Sequence, residues 1–230
     1  MAPTLVNAAF GALLAAALLG AAFDRRSVAI VVVATVLPDL DAVASLFLAG
    51  ATNALFHNVW LPLVVGSFLY WDTALRGESR LRQRHGWYGV RVAWVALAAF
   101  VVAGVGPDLF GAAGANLLYP VHDAYYLVNG RLLYSTTDGT IQTFVEWGAE
   151  GPGILPLESP GTTGTHFVPS WVNPDPGTGT SLDAERELGL VGSGWQAIVV
   201  AAAASLLAIR FLEERRTGAE SNSTFRQGEE

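Results

Sequence analysis

The chain has 230 residues, 52% of them hydrophobic with a mean hydropathy of +0.40, which is too apolar for an ordinary soluble domain. It has no cysteine, which excludes disulfides and thiolate metal sites, and all 13 of its basic residues are arginine. Its 20 acidic residues give a formal net charge of -7, so no basic, aromatic-interleaved face is available to neutralise phosphates, and nucleic acid is excluded as a partner.

An acidic, lysine-free balance is the one expected of a halophilic, archaeal-type protein. Five apolar runs, at about 5–23, 28–49, 54–72, 87–106 and 193–212, are predicted to cross a membrane. The arginines orient them. Arg25 and Arg26 lie between the first two runs, Arg76, Arg80, Arg82, Arg84 and Arg91 crowd the third connection, and Arg210, Arg215 and Arg216 follow the fifth run. The 107–192 segment has only Arg131 and Arg186 beside ten acidic residues. This pattern predicts a multi-pass cell-membrane protein with its N-terminus out, its C-terminus in and residues 107–192 external. The first run lacks a charged leader and is followed by Arg25-Arg26, which reads as an anchor and not a cleaved signal.

The predicted fold class is therefore mainly α, a polytopic helix bundle of about five spans, with a small β-rich external segment between the fourth and fifth. Residues 1–118 form a four-span membrane domain, 119–192 the external segment, 193–216 the fifth helix and 217–230 a disordered cytoplasmic tail. Within the external segment, turns at Asn129-Gly130 and Asp138-Gly139 predict two short hairpins. The Gly-, Pro- and Thr-rich stretch 148–182 predicts an irregular lid.

Polar residues from separate spans fall at one depth. Asn7 opens the first span, Asp39 and Asp41 lie in the outer half of the second, and His57 and Asn58 open the third. Asp108 ends the fourth, with His122 and Asp123 shortly after. The short turn 50–53 makes spans two and three antiparallel neighbours, bringing Asp41 towards His57. Two residues apart on an unbroken helix, Asp39 and Asp41 would point about 200° away from each other. Pro38 changes this, because a helix restarted there carries both carboxylates in its first turn, where the dipole favours them. Capping alone explains one aspartate; a second at the membrane rim points to a ligand. An imidazole beside such carboxylates suits zinc, manganese, iron or magnesium. His85 and His166 read as surface residues.

Pro38-Asp39-Leu40-Asp41, then Leu55 and His57 in NALFHN, then Asp108, Gly114, Leu117, Leu118 and Pro120 in PDLFGAAGANLLYP, fall in one order. On these residues the sequence resembles the YdjM-like family of predicted membrane-bound, metal-dependent hydrolases over about residues 1–145. That family carries a first-helix histidine, Pro-Asp-Leu-Asp, Arg-Gly-x-Thr-His-Ser, and His-x-x-x-Asp followed by glycine and Leu-Leu-Trp-Pro. Here Asn53, Phe56 and Asn58 replace the arginine, threonine and serine, Tyr119 replaces the tryptophan, and Asn7 and Gly104 replace two histidines.

The resemblance implies a divalent metal ion (zinc, manganese or magnesium) held by Asp39, Asp41, His57 and Asp108. Asp39 or Asp41 would act as general base on water, with Asn7, Asn58, His122 and Asp123 around them. The expected function is an integral membrane hydrolase with its site at the outer face, and a lipid-linked or amphipathic substrate, a phosphoester for instance. The alternative is a degenerate member serving as a membrane scaffold or binding protein. A transporter, in which intramembrane acids relay ions, is disfavoured by the absence of a sequence repeat.

Overall fold

The computed structural model describes residues 3–129, 132–137, 139–142, 151–177 and 184–227. Among the described residues, seven α-helices, short 3₁₀ and π-helical segments and one two-stranded sheet make up the regular structure: α1 Thr4–Leu18, α2 Arg25–Val36, α3 Asp41–Ala44, α4 Trp60–Tyr70, α5 Arg80–Ala99, α6 Gly106–Leu109, β1 Leu132–Ser135, β2 Gly139–Gln142 and α7 Gly194–Gln227.

Helix α1 packs on α2 and α7, and α2 packs on α5. Small residues permit the approach. A Cβ on Gly11 would run into the side chain of Thr35, so α1 and α2 meet backbone to side chain at that level. One buried cluster joins Ala15 and Leu19 to Val28 and Val31 of α2 and to Val92, Val95 and Ala99 of α5. A second joins Ala9 and Ala12 to Ala203 of α7. Small side chains at these contacts let the helices approach closely. Helix α4 buries none of its residues, and Leu63, Phe68, Ile198 and Leu212 on α4 and α7 stand exposed.

The start of α2 is fixed by a reciprocal cap. The backbone N–H of Ser27 donates to Asp24 Oδ1 at 2.7 Å, and the backbone N–H of Asp24 donates back to Ser27 Oγ at 2.9 Å. The hydroxyl of Tyr88, from α5, donates to the same carboxylate at 3.1 Å.

Two helices among the described residues are long and apolar enough to cross a membrane, Arg80–Leu109 and Gly194–Arg216. A third arises if Arg25–Val36 and Pro38–Ala44, bent by 46° at Pro38, count as one span. Five spans are thus not all reproduced as long helices. Helix α1 has 15 residues, about 22 Å, against the roughly 30 Å of a hydrocarbon core. The predicted span 54–72 becomes helical only at Trp60, because Asn58 Oδ1 accepts from the backbone N–H groups of Trp60 and Leu61 and starts α4 there. The helix α7 also continues past the expected boundary at 216, as far as Gln227, where the sequence predicts a disordered tail.

In the connecting segment, β1 and β2 pair antiparallel from Leu132↔Gln142 to Ser135↔Gly139, giving one of the two predicted hairpins. Asp138 in its turn lies outside the described residues, as do Gly130 and Arg131. Ahead of the predicted Asn129-Gly130 turn, Tyr126 bridges to Ala115 and Leu127 to Glu158. Residues 151–177 contain no helix or strand, as their composition predicts; 178–182 lie outside the described residues.

Two outcomes follow. Gly104, in the π-helical turn Phe100–Val105 that extends α5, has room for no side chain: a Cβ there would sit 2.9 Å from the Thr35 carbonyl and 3.0 Å from Pro38 Cγ. Gly104→Val is expected to lower stability by about 1–3 kcal/mol, read as a lower thermal midpoint in detergent. Partial burial would raise the Asp24 carboxyl, but the Ser27 N–H, the Tyr88 hydroxyl and the Ser27 hydroxyl outweigh it and hold the group below the usual carboxylate range. A depressed folded-state pKa gives stability that is present above the unfolded pKa and lost as pH falls through the folded value. Asp24→Ala should therefore cost about 1 kcal/mol near pH 7 and markedly less near pH 3, measured by denaturant unfolding at both.

Candidate metal site

A broken helix and the end of a long one deliver the carboxylates. Pro38 lacks an N–H, so α2 stops short of it and the chain turns through a 3₁₀ segment, Pro38–Leu40, into α3. Asp39 sits in that turn and Asp41 opens α3. Asp108 lies at the far end of the long helix Arg80–Leu109, where the π-helical turn Phe100–Val105 leads into the short α6. The tripeptide Pro-Asp-Leu occurs at both places, 38–40 and 107–109. Gly104 lets the end of this helix lie directly against the break at Pro38.

The loop between α3 and α4 supplies the histidine. Asn53 adopts φ 56°, a left-handed conformation that asparagine tolerates better than most residues. Its carbonyl accepts from the Asn116 N–H at 2.8 Å, and the Val59 N–H donates to the Leu117 carbonyl at 2.8 Å, locking this loop to residues 114–118. The amide of Asn53 donates to Asp108 Oδ1 at 3.1 Å and to the Gly114 carbonyl at 2.8 Å.

His57, fully buried, lies between two fully buried carboxylates. Its Nδ1 is 2.7 Å from Asp41 Oδ2 and its Nε2 is 3.2 Å from Asp108 Oδ2. Asn7 of α1 donates to Asp39 Oδ1 at 3.4 Å. Asp39, His57 and Asp108 each offer a ligand atom, all within 4.8 Å of one another. The group is positioned to hold a metal ion.

Two features show that these residues fit a cation. A neutral imidazole has one N–H. Given to Asp41 over the shorter contact, it leaves Nε2 and Asp108 Oδ2 as facing lone pairs, which only a second proton or a cation between them relieves. Donors are also few: Asn7 Oδ1, Asp39 Oδ2, Asp41 Oδ1 and Asn53 Oδ1 lie buried beyond hydrogen-bond geometry, with the Thr4 hydroxyl beside Asp39 and the Ala54 N–H beside Asp41 as the further donors at hand. Three largely buried carboxylates with few donors favour a positive charge among them.

The set differs from the sequence expectation. Asp41, expected as a ligand, engages the far ring nitrogen of His57; it holds the imidazole by Nδ1 so that Nε2 faces Asp39 and Asp108, the usual job of a carboxylate behind a metal-binding histidine. Asn7 does reach Asp39. Asn58 instead caps α4, its amide donating to the Leu55 carbonyl at 2.6 Å. Asp123 ties loops together, accepting from Asn116 Nδ2 at 2.7 Å, the Thr163 N–H at 3.0 Å and the Thr163 hydroxyl at 2.7 Å. His122 contributes a backbone bond to Leu118 and is not brought to His57. His166, read as a surface residue, donates through Nε2 to the Ala113 carbonyl at 2.8 Å and packs edge-on against Tyr125.

Tyr125 in turn donates its hydroxyl towards the carbonyls of Gly50 and Thr52, at 2.8 and 2.7 Å, and packs with Ala54 and Val168. Asn173 Nδ2 donates to the Ser45 carbonyl at 3.1 Å. The connecting segment therefore clamps the loops that carry His57 and Asp108. Sequence reading missed Asn53, whose signal was an asparagine in a tight turn, and the second Pro-Asp-Leu.

Comparison of the chain with known families, characterised proteins and solved structures finds no match.

Asn53→Ala removes one donor from Asp108 Oδ1 and one from the Gly114 carbonyl while leaving both buried, which is expected to cost about 1–3 kcal/mol. Thermal unfolding should show the loss, and Asn53→Asp, which adds a fourth carboxylate, should be worse than Asn53→Ala unless a divalent ion is supplied.

Proposed function

We propose that the chain is a multi-pass membrane protein of five spans, N-terminus out and C-terminus in, and that its buried Asp39–His57–Asp108 group is the centre of a metal-dependent hydrolase of the YdjM-like kind. The observation that carries the reading is the set of buried ligand atoms on Asp39, His57 and Asp108, all within 4.8 Å of one another and with acceptors in excess around them, which a cation offsets without dismantling the site. The arginine asymmetry supports the topology, and the ordered Pro-Asp-Leu-Asp, His57 and Asp108 elements support the family.

A divalent ion in this site would supply Lewis-acid activation of water near neutral pH. The chain's own residues have separable parts in that chemistry. Asp41 fixes the tautomer and the plane of His57. Asn53 fixes Asp108 through Oδ1 and leaves Oδ2 turned to His57 Nε2. Asp39 is the least enclosed of the three, 9% exposed against none for His57 and Asp108, and its Oδ2 has no partner. It is the carboxylate placed to take a proton from an incoming water. The connecting segment, seated over the loops, excludes bulk solvent.

One observation favours the non-catalytic alternative, a membrane scaffold. Gly104 stands where the resembled family has a histidine, and the helix contact it makes leaves no room for one. The ligand set is then smaller than the family's, and the ion would serve to hold the broken helix and the end of the long one together.

The metal content of protein purified in high salt, after exposure to zinc, manganese or magnesium and removal of excess, decides the central claim. Stoichiometric metal is expected in the wild type, none in Asp108→Ala, and about 10–100-fold weaker binding in Asp41→Ala. A wild type that retains none of the three metals would sink the metal centre. Stoichiometric metal without chelator-sensitive hydrolysis of phosphoesters would select the scaffold.

A further inference from the structure

Arginines from distant parts of the sequence gather at one end of the helix bundle. Arg91 Nε donates to the Leu18 carbonyl at 2.8 Å, and the Tyr88 hydroxyl donates to Asp24, next to Arg25 and Arg26. The Arg210 guanidinium lies 4.7 Å from the centre of the Phe23 ring, and that of Arg25 lies 5.8 Å from the Phe211 ring. The end of α1, the starts of α2 and α5 and the later part of α7 therefore meet at one level. The metal site lies at the other end, where Asn7, near the start of α1, meets Asp39. From Trp71 to Arg91 five arginines stand against two acidic residues, a net of +3 on a chain whose formal charge is -7.

Helix Arg80–Leu109 has 30 residues, about 45 Å, which exceeds a hydrocarbon core of roughly 30 Å. The excess is at the arginine end. Gly86 has φ 65° and ψ -166°, outside the helical region, and kinks the helix there. A Cβ on Gly86 would meet nothing within 4 Å, so the backbone and not the space requires glycine. Past the kink, residues 87–109 extend about 34 Å and match the core by themselves. With that stretch in hydrocarbon, residues 80–85 lie at the depth of the head groups.

Two stacked pairs flank this segment. Arg82 lies 4.1 Å from the Trp87 ring centre and Arg76 lies 5.4 Å from that of Trp71. Both indoles are half exposed or more, as rings in a membrane interface are. A guanidinium stacked by its face keeps its edge open, and that edge fits a phosphate through two hydrogen bonds. The nearby Asp72 is already engaged, accepting from the Ser79 hydroxyl and the N–H groups of Arg80 and Leu81 and pairing with Arg76 at 3.7 Å. Among the described residues no carboxylate pairs with Arg80, Arg82 or Arg84, and all three are exposed.

We propose that this end of the protein is a binding surface for anionic phospholipid, whose phosphates seat against Arg80, Arg82 and Arg84 between the Trp71 and Trp87 rings. Charge complementarity names the occupant: a basic segment beside a span attracts anionic lipid, whereas the ammonium of a zwitterionic head group opposes it. The surface requires helix Arg80–Leu109 to cross a bilayer and is independent of the metal centre.

Wild type and the triple variant Arg80→Gln, Arg82→Gln, Arg84→Gln would be reconstituted in phosphatidylcholine vesicles with a trace of chain-spin-labelled phosphatidylglycerol or phosphatidylcholine. The fraction of each label immobilised by the protein gives the relative association constant, and the phosphatidylcholine label alone shows that each variant is inserted. Wild type is expected to favour phosphatidylglycerol several-fold, and the triple variant to lower that ratio by about twofold or more. Arg186→Gln, between two glutamates that share a cavity wall with Thr4 at the far end, is expected to leave the ratio unchanged. A wild-type ratio of one, a ratio kept by the triple variant, or an equal fall in Arg186→Gln overturns the surface. No immobilised label of either kind overturns the membrane-spanning reading with it, and neither result touches the metal content.

Discussion

His57 is held at both ring nitrogens by carboxylates from opposite ends of the fold, and the rest of the architecture is arranged to make that possible. Asp41 comes from the break after α2 and Asp108 from the end of the long helix Arg80–Leu109. An imidazole can bridge them only if the break and that helix end lie at the same level and nearly in contact. Proline makes the break, because it has no N–H to continue the ladder. Gly104 supplies the contact, because its missing side chain lets the π-helical turn rest on Thr35 and Pro38. The two Pro-Asp-Leu segments therefore act as a pair, and neither alone builds the site.

Burial gives these polar contacts their weight. An exposed ion pair contributes little, whereas three carboxylates around one imidazole, closed to water, are costly unless something positive joins them. The connecting segment enforces the closure. Tyr125, His166, Asn173 and Asp123 each bond to a loop that carries or supports a site residue, so the segment behaves as a clamp and not as a separate domain. The same enclosure leaves four acceptor atoms short of donors. Enclosure and donor shortage together are what a cation site requires, and a simple helix cap needs neither.

The helical class and the residues of the candidate site were legible in the sequence for a common reason: each depends on local chemistry. A long apolar run predicts a helix suited to lipid, a proline predicts a break, and an aspartate in an apolar run demands compensation. Asp39, His57 and Asp108 were found on those grounds. The roles of Asp41, Asn58 and Asp123 were not, because a carboxylate or amide near a site looks the same whether it touches the ion, orients a ligand or caps a helix. Only the partner atom separates these roles, and partners come from distant segments: Asp41 with His57 across 16 residues, Asp123 with Thr163 across 40.

Sequence by itself determined that this is an apolar, lysine-free, mainly helical chain, broken at Pro38 with carboxylates beside the break, because composition and backbone chemistry act residue by residue. Tertiary structure decided which carboxylates share the histidine, that Asn53 and Gly104 are indispensable to the arrangement, and that Tyr126 and Leu127 pair with Ala115 and Glu158. These outcomes turn on how closely separate helices approach and on which buried donors remain to be shared, and neither quantity exists until the chain has folded.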